Sequence, residues 1–516
     1  MNKTIPVIGK DVIESLTLGM YEDSRFIYRE YIQNSADQID KAVEQGLMSK
    51  NEEEIHITID DINQRVEIYD NATGIEQENV VPILQNIAKS TKQRGKDKGF
   101  RGIGRLGGLG YCEKLTFETS FKGEPIKSTM IWDAHLLKEI INDRNNKDNA
   151  VEVIQKVTTL KTEKEDSDKH YFRVILEGVT NDVLLDKKLV EDYLKMVAPI
   201  GYPTGFIFSQ KIYEFINQND FYVDEYKIYL NRDLLYKGYT TSIYAGSNGS
   251  KKRIDEVFDL RFFSCKENNE LLYWGWYGVS NFVGVIDGEA NIAAGIRLRK
   301  NNIQLGDKST LLKLHRNTQR GNYYFIGEIH AVHPDLIPNS RRDYFGENSK
   351  CHDFERKLQD FFCTELHGLY YTASKIRSAN RDVQALVEFE KTVAEKEKQG
   401  FNNKGDREKL YEEFEAKKKK AEEAKKKLDN IKQKTEDPNT PVSKIFERVV
   451  TTENINPTQI EVEPKKAKGG FVTDKYSWLP KSERKTLSKV FTVIENVLPR
   501  ELAKNLIDKI DEELRK

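Results

Sequence analysis

Three polar side chains near the start of the chain have a spacing that could support chemistry. Glu30, Asn34 and Asp37 stand at i, i+4 and i+7, so on an α-helix they emerge from one face within about two turns. A carboxylate there could orient and deprotonate a water, and an amide oxygen one turn on suits Mg²⁺. The alternative interpretation is a solvated polar helix face.

A second motif follows forty residues later and favours a ligand site. Asp70 ends a strand-like run and is followed by NATG, in which Gly74 permits a tight turn and the close approach of a flat ligand. An aspartate at a strand end can accept a hydrogen bond from an exocyclic amine. Many strand-to-turn junctions share this pattern, so it is weak on its own.

A third motif is the segment GFRGIGRLGGLG, which holds six glycines in twelve residues: Gly99, Gly102, Gly104, Gly107, Gly108 and Gly110. Such density leaves backbone N–H groups free to cradle phosphates. The Gly-Lys-Ser/Thr ending of a P-loop is missing. Just upstream, a cationic stretch is a candidate lid over the same phosphates; its polar residues are Ser90, Lys92, Arg94, Lys96 and Lys98.

Local patterns predict the elements that position these residues. The run from Ser24 to Gly46 has helical apolar spacing, with Ser24 as its predicted N-cap. EIHITID and RVEIYD alternate in polarity and predict a strand hairpin that ends at Asp70. The pattern over residues 1–183 is therefore α+β, and a second α+β block with its own helix and strands follows over residues 184–348.

The remainder of the chain is predicted to be helical and charged. Residues 349–435 read as helices with a charged coiled-coil arm, in which residues 417–436 hold nine lysines against four acids. A lysine run of this kind is either a solvated helix face or a phosphate-binding surface. Residues 436–470 read as a linker, and residues 471–516 as a small C-terminal helical element.

Taken together, these motifs resemble the GHKL ATPases, and most closely the ninety-kilodalton heat-shock chaperones. The family's helix motif matches YREYIQNSADQIDKA, its adenine motif Asp70 through Gly74, and its lid IAKSTK and GFRGIG. Ala72 departs from the family, which usually has a glycine there. The resemblance implies a Bergerat-type sandwich of helices on a mixed sheet, binding ATP with Mg²⁺, followed by an α+β transducer domain and a helical, coiled C-terminal region.

The resemblance also implies a role for each matched residue. Glu30 would activate water, Asn34 would bind Mg²⁺, and Asp37 would support the magnesium and nucleotide site. Asp70 would recognise the adenine amine and Ile75 would pack beside the base. The phosphates would be held by the lid and its glycine-rich end, that is by Lys92, Gly99, Arg101, Gly102, Ile103, Gly104 and Gly107.

Residues 184–345 resemble the chaperone middle domain, which in the family sends a basic residue to the γ-phosphate. The segment NSRRDYF makes Arg341 or Arg342 the candidate. The alternative for these arginines is a surface ion pair with Asp343. Weaker candidates lie on a predicted strand: Arg297, Arg299 and Lys300.

The resemblance fades beyond about residue 375, where the layout is similar to that of the microrchidia ATPases. We expect an ATP-hydrolysing clamp that dimerises on binding ATP and remodels a protein partner. The alternative is a DNA-clamping ATPase of the microrchidia or MutL kind, and a scaffold with an inactive site is a third class.

Composition agrees with a cytoplasmic protein. The net charge is −1, and the four cysteines form no C-x-x-C pair. No window is apolar enough for a membrane span, and MNKTIPVIGKDVIE lacks a signal-peptide core.

Overall fold

The computed structural model describes residues 8–17, 23–87, 104–246, 250–315, 318–435, 437–451 and 470–516. It has the predicted mixed α+β fold. The chain divides into two compact units, Met1–His367 and Gly368–Lys516. All described residues of the candidate site lie in the first unit.

The larger sheet of the first unit is mixed. Its strands are β1 Ile55–Asp60, β2 Arg65–Asp70, β3 Lys114–Ser120, β4 Ile126–Asp133, β5 Thr158–Lys164, β6 Tyr171–Glu177, β7 Ile228–Leu230 and β8 Asp233–Leu234. Within the described residues, these eight strands lie in the order β5-β4-β3-β6-β2-β1-β7-β8. Only the β1–β7 pairing among them is parallel. The sheet thus takes in strands from beyond residue 184, and the boundary expected at residue 183 stays a prediction.

The β1–β2 hairpin confirms the predicted alternation. Ile55 lies opposite Asp70 and Asp60 opposite Arg65, so the turn falls over residues 61–64. The isoleucines of β1 are buried because period-2 alternation places them all on one face of the sheet. This register fixes Asp70 at the end of an interior strand.

Helices cover the inner face of this sheet. They are α1 Asp11–Thr17, α2 Phe26–Glu44, α3 Val80–Leu84, α4 Ala134–Asn142, α5 Ala150–Val157, α6 Asp182–Leu185 and α7 Lys187–Val197, and α8 Ser209–Gln218 follows. Phe26, Ile27, Tyr31 and Ile32 of α2 enter the sheet's hydrophobic core. The predicted N-cap is wrong: no side chain caps α2, and the Ser24 hydroxyl donates to Asn181 Oδ1 at 3.3 Å.

Within its described residues, the first unit also contains a two-stranded sheet and a five-stranded sheet, and the five-stranded one is called the second sheet. The strands that follow are β9 Ser242–Ala245, β10 Lys252–Glu256, β11 Asp259–Glu267, β12 Glu270–Val279, β13 Gly295–Lys300, β14 Ile303–Leu305 and β15 Ile326–Ala331. Among the described residues, β9 pairs with β10, and the other five strands lie in the order β11-β12-β15-β13-β14. Helix α9, Ser349–Phe361, and a π-helical turn at Phe362–Leu366 come next.

The core of this second sheet contains a cluster of buried charge. Glu328 accepts from Lys237 Nζ at 2.9 Å and from Arg299 Nε at 2.5 Å, and all three side chains are fully buried. Burial lowers the pKa of Lys237 to about 8. The remaining Arg299 nitrogens donate to carbonyls of Asn302 and Met196. Arg299 is therefore a core residue, and its prediction as a weaker phosphate-binding candidate is wrong.

The second unit is helical. Helices α10 His367–Gln399 and α11 Lys404–Lys434 are joined by a short turn that begins at Gly400, whose φ is +83°. The Tyr411 hydroxyl donates to Glu397 at 2.6 Å, and Lys417 Nζ lies over the Phe389 ring, so the two helices run antiparallel. The predicted arm is therefore one helix of an antiparallel pair within a single chain, and Ala421, Ala424 and Leu428 of its 3–4 apolar spacing are buried.

Part of the linker prediction is wrong. Helix α12 spans Pro441–Thr451, because proline is tolerated in the first turn of a helix and the residues after it keep helical spacing. Helices α13 Lys481–Val497 and α14 Arg500–Leu514 form the predicted C-terminal element. No helix in the described ranges is long and apolar enough to cross a membrane.

Candidate functional site

Helix α2 carries the three polar residues that the sequence singles out. Glu30 and Asp37 are buried and Asn34 is half-buried, although all three are polar. The alternative of a solvated polar face is therefore wrong for the two carboxylates. Burying a carboxylate costs free energy unless other groups compensate for the lost water. This helix face therefore favours a binding site over a solvated surface.

Asp70 lies at the end of β2 in a buried position below α2. Its Oδ2 accepts from the Ser35 hydroxyl at 2.6 Å, and its Oδ1 accepts from the Ala72 N–H at 3.2 Å. Burial raises the pKa of Asp70 to about 6, partly offset by those two hydrogen bonds. A carboxylate has about four lone-pair sites, so Asp70 keeps capacity for a further donor.

The turn after Asp70 depends on Gly74. Its φ is +67°, and a Cβ there would lie 1.9 Å from the carbonyl oxygen of Ser120, so no other residue fits. The Ala72 carbonyl oxygen lies 2.7 Å from His170 Nδ1, and this contact helps to hold the turn. Ile75 is half-buried and donates its N–H to Thr119 Oγ1 at 2.8 Å.

The glycine-rich segment presses against α2. Gly104–Gly110 forms a 3₁₀ helix, and a Cβ on Gly104 would lie 2.2 Å from Glu30 Oε2. A Cβ on Gly107 would lie 2.8 Å from the Phe26 ring, so Gly107 serves packing against the helix. The Tyr31 hydroxyl also donates to the Arg105 carbonyl at 3.0 Å. The other predicted phosphate-binding residues, Lys92, Gly99, Arg101, Gly102 and Ile103, lie outside the described residues.

The basic residue predicted from the segment NSRRDYF, which follows β15, also contacts Glu30. Arg342 Nε lies 2.7 Å from Glu30 Oε1, and the two side chains are 13% and 6% exposed. Arg341 is exposed. The structure thus brings together Glu30 and Arg342 from opposite ends of the first unit, and it leaves Arg341 outside the site.

Two residues of the site were missed from the sequence. Ser35 holds Asp70, and Arg29 lies beside Glu30, with Nη2 3.7 Å from Glu30 Oε1. Their positions in the sequence were an available signal. Arg29 directly precedes the candidate base Glu30, and Ser35 directly follows Asn34. Within the described residues, no group of three or more His, Cys, Asp or Glu side chains is placed to hold a metal ion.

Residues 24–166 match the family model described as histidine kinase-, DNA gyrase B-, and HSP90-like ATPase. That segment contains α2, the β1–β2 hairpin with Asp70, and the glycine-rich segment. The amino-terminal domain belongs to the GHKL ATPase superfamily.

A curated relative agrees with this assignment. The chain is 24% identical over 144 residues to the chaperone protein HtpG of Enterobacter sp. (strain 638). The alignment covers 24% of this chain and 23% of HtpG. The chain is therefore related to HSP90-like ATPases, and the match spans about a quarter of the length of that relative.

Proposed function

We propose that this GHKL protein is a Mg²⁺-dependent ATP hydrolase. The observation that carries the proposal is that two distant parts of the chain meet Glu30 of α2. They are the glycine-rich segment at Gly104 and Arg342 from beyond the second sheet. A buried carboxylate between a candidate phosphate-binding backbone and an arginine suits a base that acts on water beside a phosphate.

The residues present fit a nucleotide. Asp70 has a buried carboxylate with unused acceptor capacity, which suits an adenine amine. The tight turn at Gly74 lets the backbone approach a ligand closely, and half-buried Ile75 offers an apolar surface to the base. Lys92 and the Gly99–Gly107 backbone would hold the phosphates.

The oxygen donors on α2 fit Mg²⁺. Asn34 supplies a hard amide oxygen, and Asp37 lies one turn away on the same face, where it would support the site through water. When bound there with the phosphates, the ion supplies neutralisation of their negative charge. The other contributions to the proposed hydrolysis come from the protein's own side chains.

In the proposed mechanism, Glu30 orients a water and accepts its proton while the water oxygen bonds to the γ-phosphorus. The bond from that phosphorus to the bridging oxygen breaks, and ADP leaves with the electron pair. Arg342 now pairs with Glu30, so it must turn toward the phosphate to stabilise the developing charge. That exchange frees the carboxylate and makes turnover slow and conformationally gated.

Nucleotide recognition is tested by calorimetry on the full-length chain. The Asp70→Asn variant replaces an acceptor oxygen by a donor and should lose ATP binding. Asp60→Asn, at the other end of the same hairpin, should bind ATP like the native protein, since Asp60 contacts Asn63 in its own turn. Equal ATP affinity in all three proteins would contradict the assignment of Asp70.

We propose further that ATP binding drives formation of a homodimeric clamp that remodels a protein partner. Support comes from the relation to HSP90-like ATPases. Sedimentation of Glu30→Ala with and without ATP tests the dimer, and a monomer under both conditions would contradict it.

The second candidate is a DNA clamp, which one observation favours. Helix α11 buries Ala421, Ala424 and Leu428 and so turns most of its lysine run outward. An outward lysine run could contact phosphates or only water, so this candidate ranks below the protein clamp.

A further inference from the structure

The loop that carries Arg342 has a strained backbone. Arg342 has a φ of +55°, in the left-handed region that residues other than glycine rarely occupy. Such a conformation is unfavourable for a residue with a side chain and persists only where neighbouring groups hold it.

Two groups from opposite sides bind the loop's carbonyls. From the second sheet, the Gly306 N–H donates to the Arg342 carbonyl oxygen at 2.9 Å. From α2, the Arg29 guanidinium donates to both loop carbonyls, Nη2 to that of Arg341 at 3.4 Å and Nη1 to that of Arg342 at 3.5 Å. The loop is thus held between Gly306 and Arg29.

Arg29 is well suited to this task. Its side chain is only 7% exposed, and its planar fork spans two successive carbonyls while Nη2 also lies 3.7 Å from Glu30 Oε1. A lysine ammonium in its place would keep the positive charge near Glu30, but it is a single point charge without the fork. The substitution Arg29→Lys therefore separates the effect of the positive charge from that of the two-pronged guanidinium.

We propose that Arg29 is a positioning residue that selects which arginine enters the site. By binding the 341 and 342 carbonyls, it holds the left-handed conformation that directs the Arg342 side chain to Glu30 and leaves the Arg341 side chain exposed. For catalysis this rests on the proposed hydrolase function. Arg29 itself acts through Arg342.

The kinetic test compares full-length native protein, Arg29→Lys, Arg342→Ala and the double variant. Arg29→Lys should lower kcat by about 10²-fold, the scale expected for a misplaced catalytic group, and leave the ATP dissociation constant unchanged. Placed in the Arg342→Ala background, Arg29→Lys should cause no further loss, because the residue it positions is gone. Arg25→Lys is the control: Arg25 pairs with Asp23 at 2.8 Å and donates to Leu189 O, so kcat should be native.

A second readout does not depend on hydrolysis. Hydrogen exchange without nucleotide should be faster in Arg29→Lys than in native protein for peptides containing the Gly306 and Arg342 amides. Arg25→Lys should match the native protein there. If the native protein releases no phosphate, the hydrolase proposal fails and the exchange comparison still decides the loop contact. Native exchange in Arg29→Lys, or a kcat loss that adds fully to that of Arg342→Ala, would overturn the inference.

Discussion

Arg342 and Glu30 form a buried ion pair in which Nε lies 2.7 Å from Oε1. Glu30 comes from helix α2 on the inner face of the larger sheet, and Arg342 comes from the loop that follows β15 of the second sheet. Each side chain offsets the cost of burying the other. The pair therefore joins α2 to the loop after β15 through the residue proposed as the base.

The two adjacent arginines should differ in their effect on hydrolysis. Arg342→Ala removes the cation that faces Glu30 and should lower kcat by about 10²-fold or more, the scale of a lost electrostatic group in the transition state. Arg341→Ala alters an exposed side chain and should cost far less. Phosphate-release kinetics at saturating ATP measure both, and equal losses would contradict the assignment of Arg342.

Gly104 should be intolerant of a side chain. A Cβ there would lie 2.2 Å from Glu30 Oε2, so Gly104→Ala must displace either the carboxylate or the glycine-rich segment and should lower kcat about tenfold or more. Gly205→Ala is the matched control, because a Cβ at Gly205 meets nothing within 4 Å. Phosphate release from both variants decides the matter. Native turnover by Gly104→Ala would show that this contact is unimportant.

The buried carboxyl of Asp70 should make stability depend on pH. Its pKa is raised from 3.8 to about 6 in the folded protein, so the folded state binds the proton more tightly than the unfolded state. That stabilisation is present below pH 3.8 and is lost as pH rises through 6, for a change of about 3 kcal/mol.

Urea unfolding of the native protein and Asp70→Asn, followed between pH 4 and 7, checks this. Asp70→Asn cannot titrate and should gain stability relative to the native protein as pH rises. A constant difference across that range would show that the pKa of Asp70 is not raised.

The sequence predicted those parts of the site whose signals are local. Helical spacing placed Glu30, Asn34 and Asp37 on one face, and alternation placed Asp70 at a strand end. The N-cap at Ser24 was wrong because a residue distant in sequence, Asn181, takes its hydroxyl. The sequence of edge strand β5 shows no alternation of apolar and polar residues, because almost all of its side chains are exposed.

The choice between Arg341 and Arg342 could not be made from sequence. It depends on the backbone conformation of Arg342 and on the contacts of Arg29, neither of which leaves a pattern in neighbouring residues. For the same reason Arg299 could not be recognised as the partner of Glu328, which is buried on a strand distant in sequence.

The lysine run of α11 separates the two candidate partners. DNA binding through phosphates releases counterions and must weaken steeply with salt. We expect weak binding of duplex DNA at most near physiological salt, and replacing Lys417–Lys420 and Lys425–Lys427 by Gln should leave basal ATPase unchanged. Fluorescence anisotropy with labelled duplex measures this. Tight binding that stimulates hydrolysis and is abolished by those replacements would favour the DNA clamp.

The most direct test of the account is ATP binding and phosphate release measured together on native protein and Glu30→Ala. The native protein should bind ATP in the presence of Mg²⁺ and release phosphate slowly. Glu30→Ala should keep the binding seen by calorimetry and lose phosphate release by about 10²-fold or more, because it lacks the base but keeps Asp70 and the glycine-rich segment. Absence of both ATP binding and phosphate release in the native protein, or native turnover by Glu30→Ala, would contradict the account.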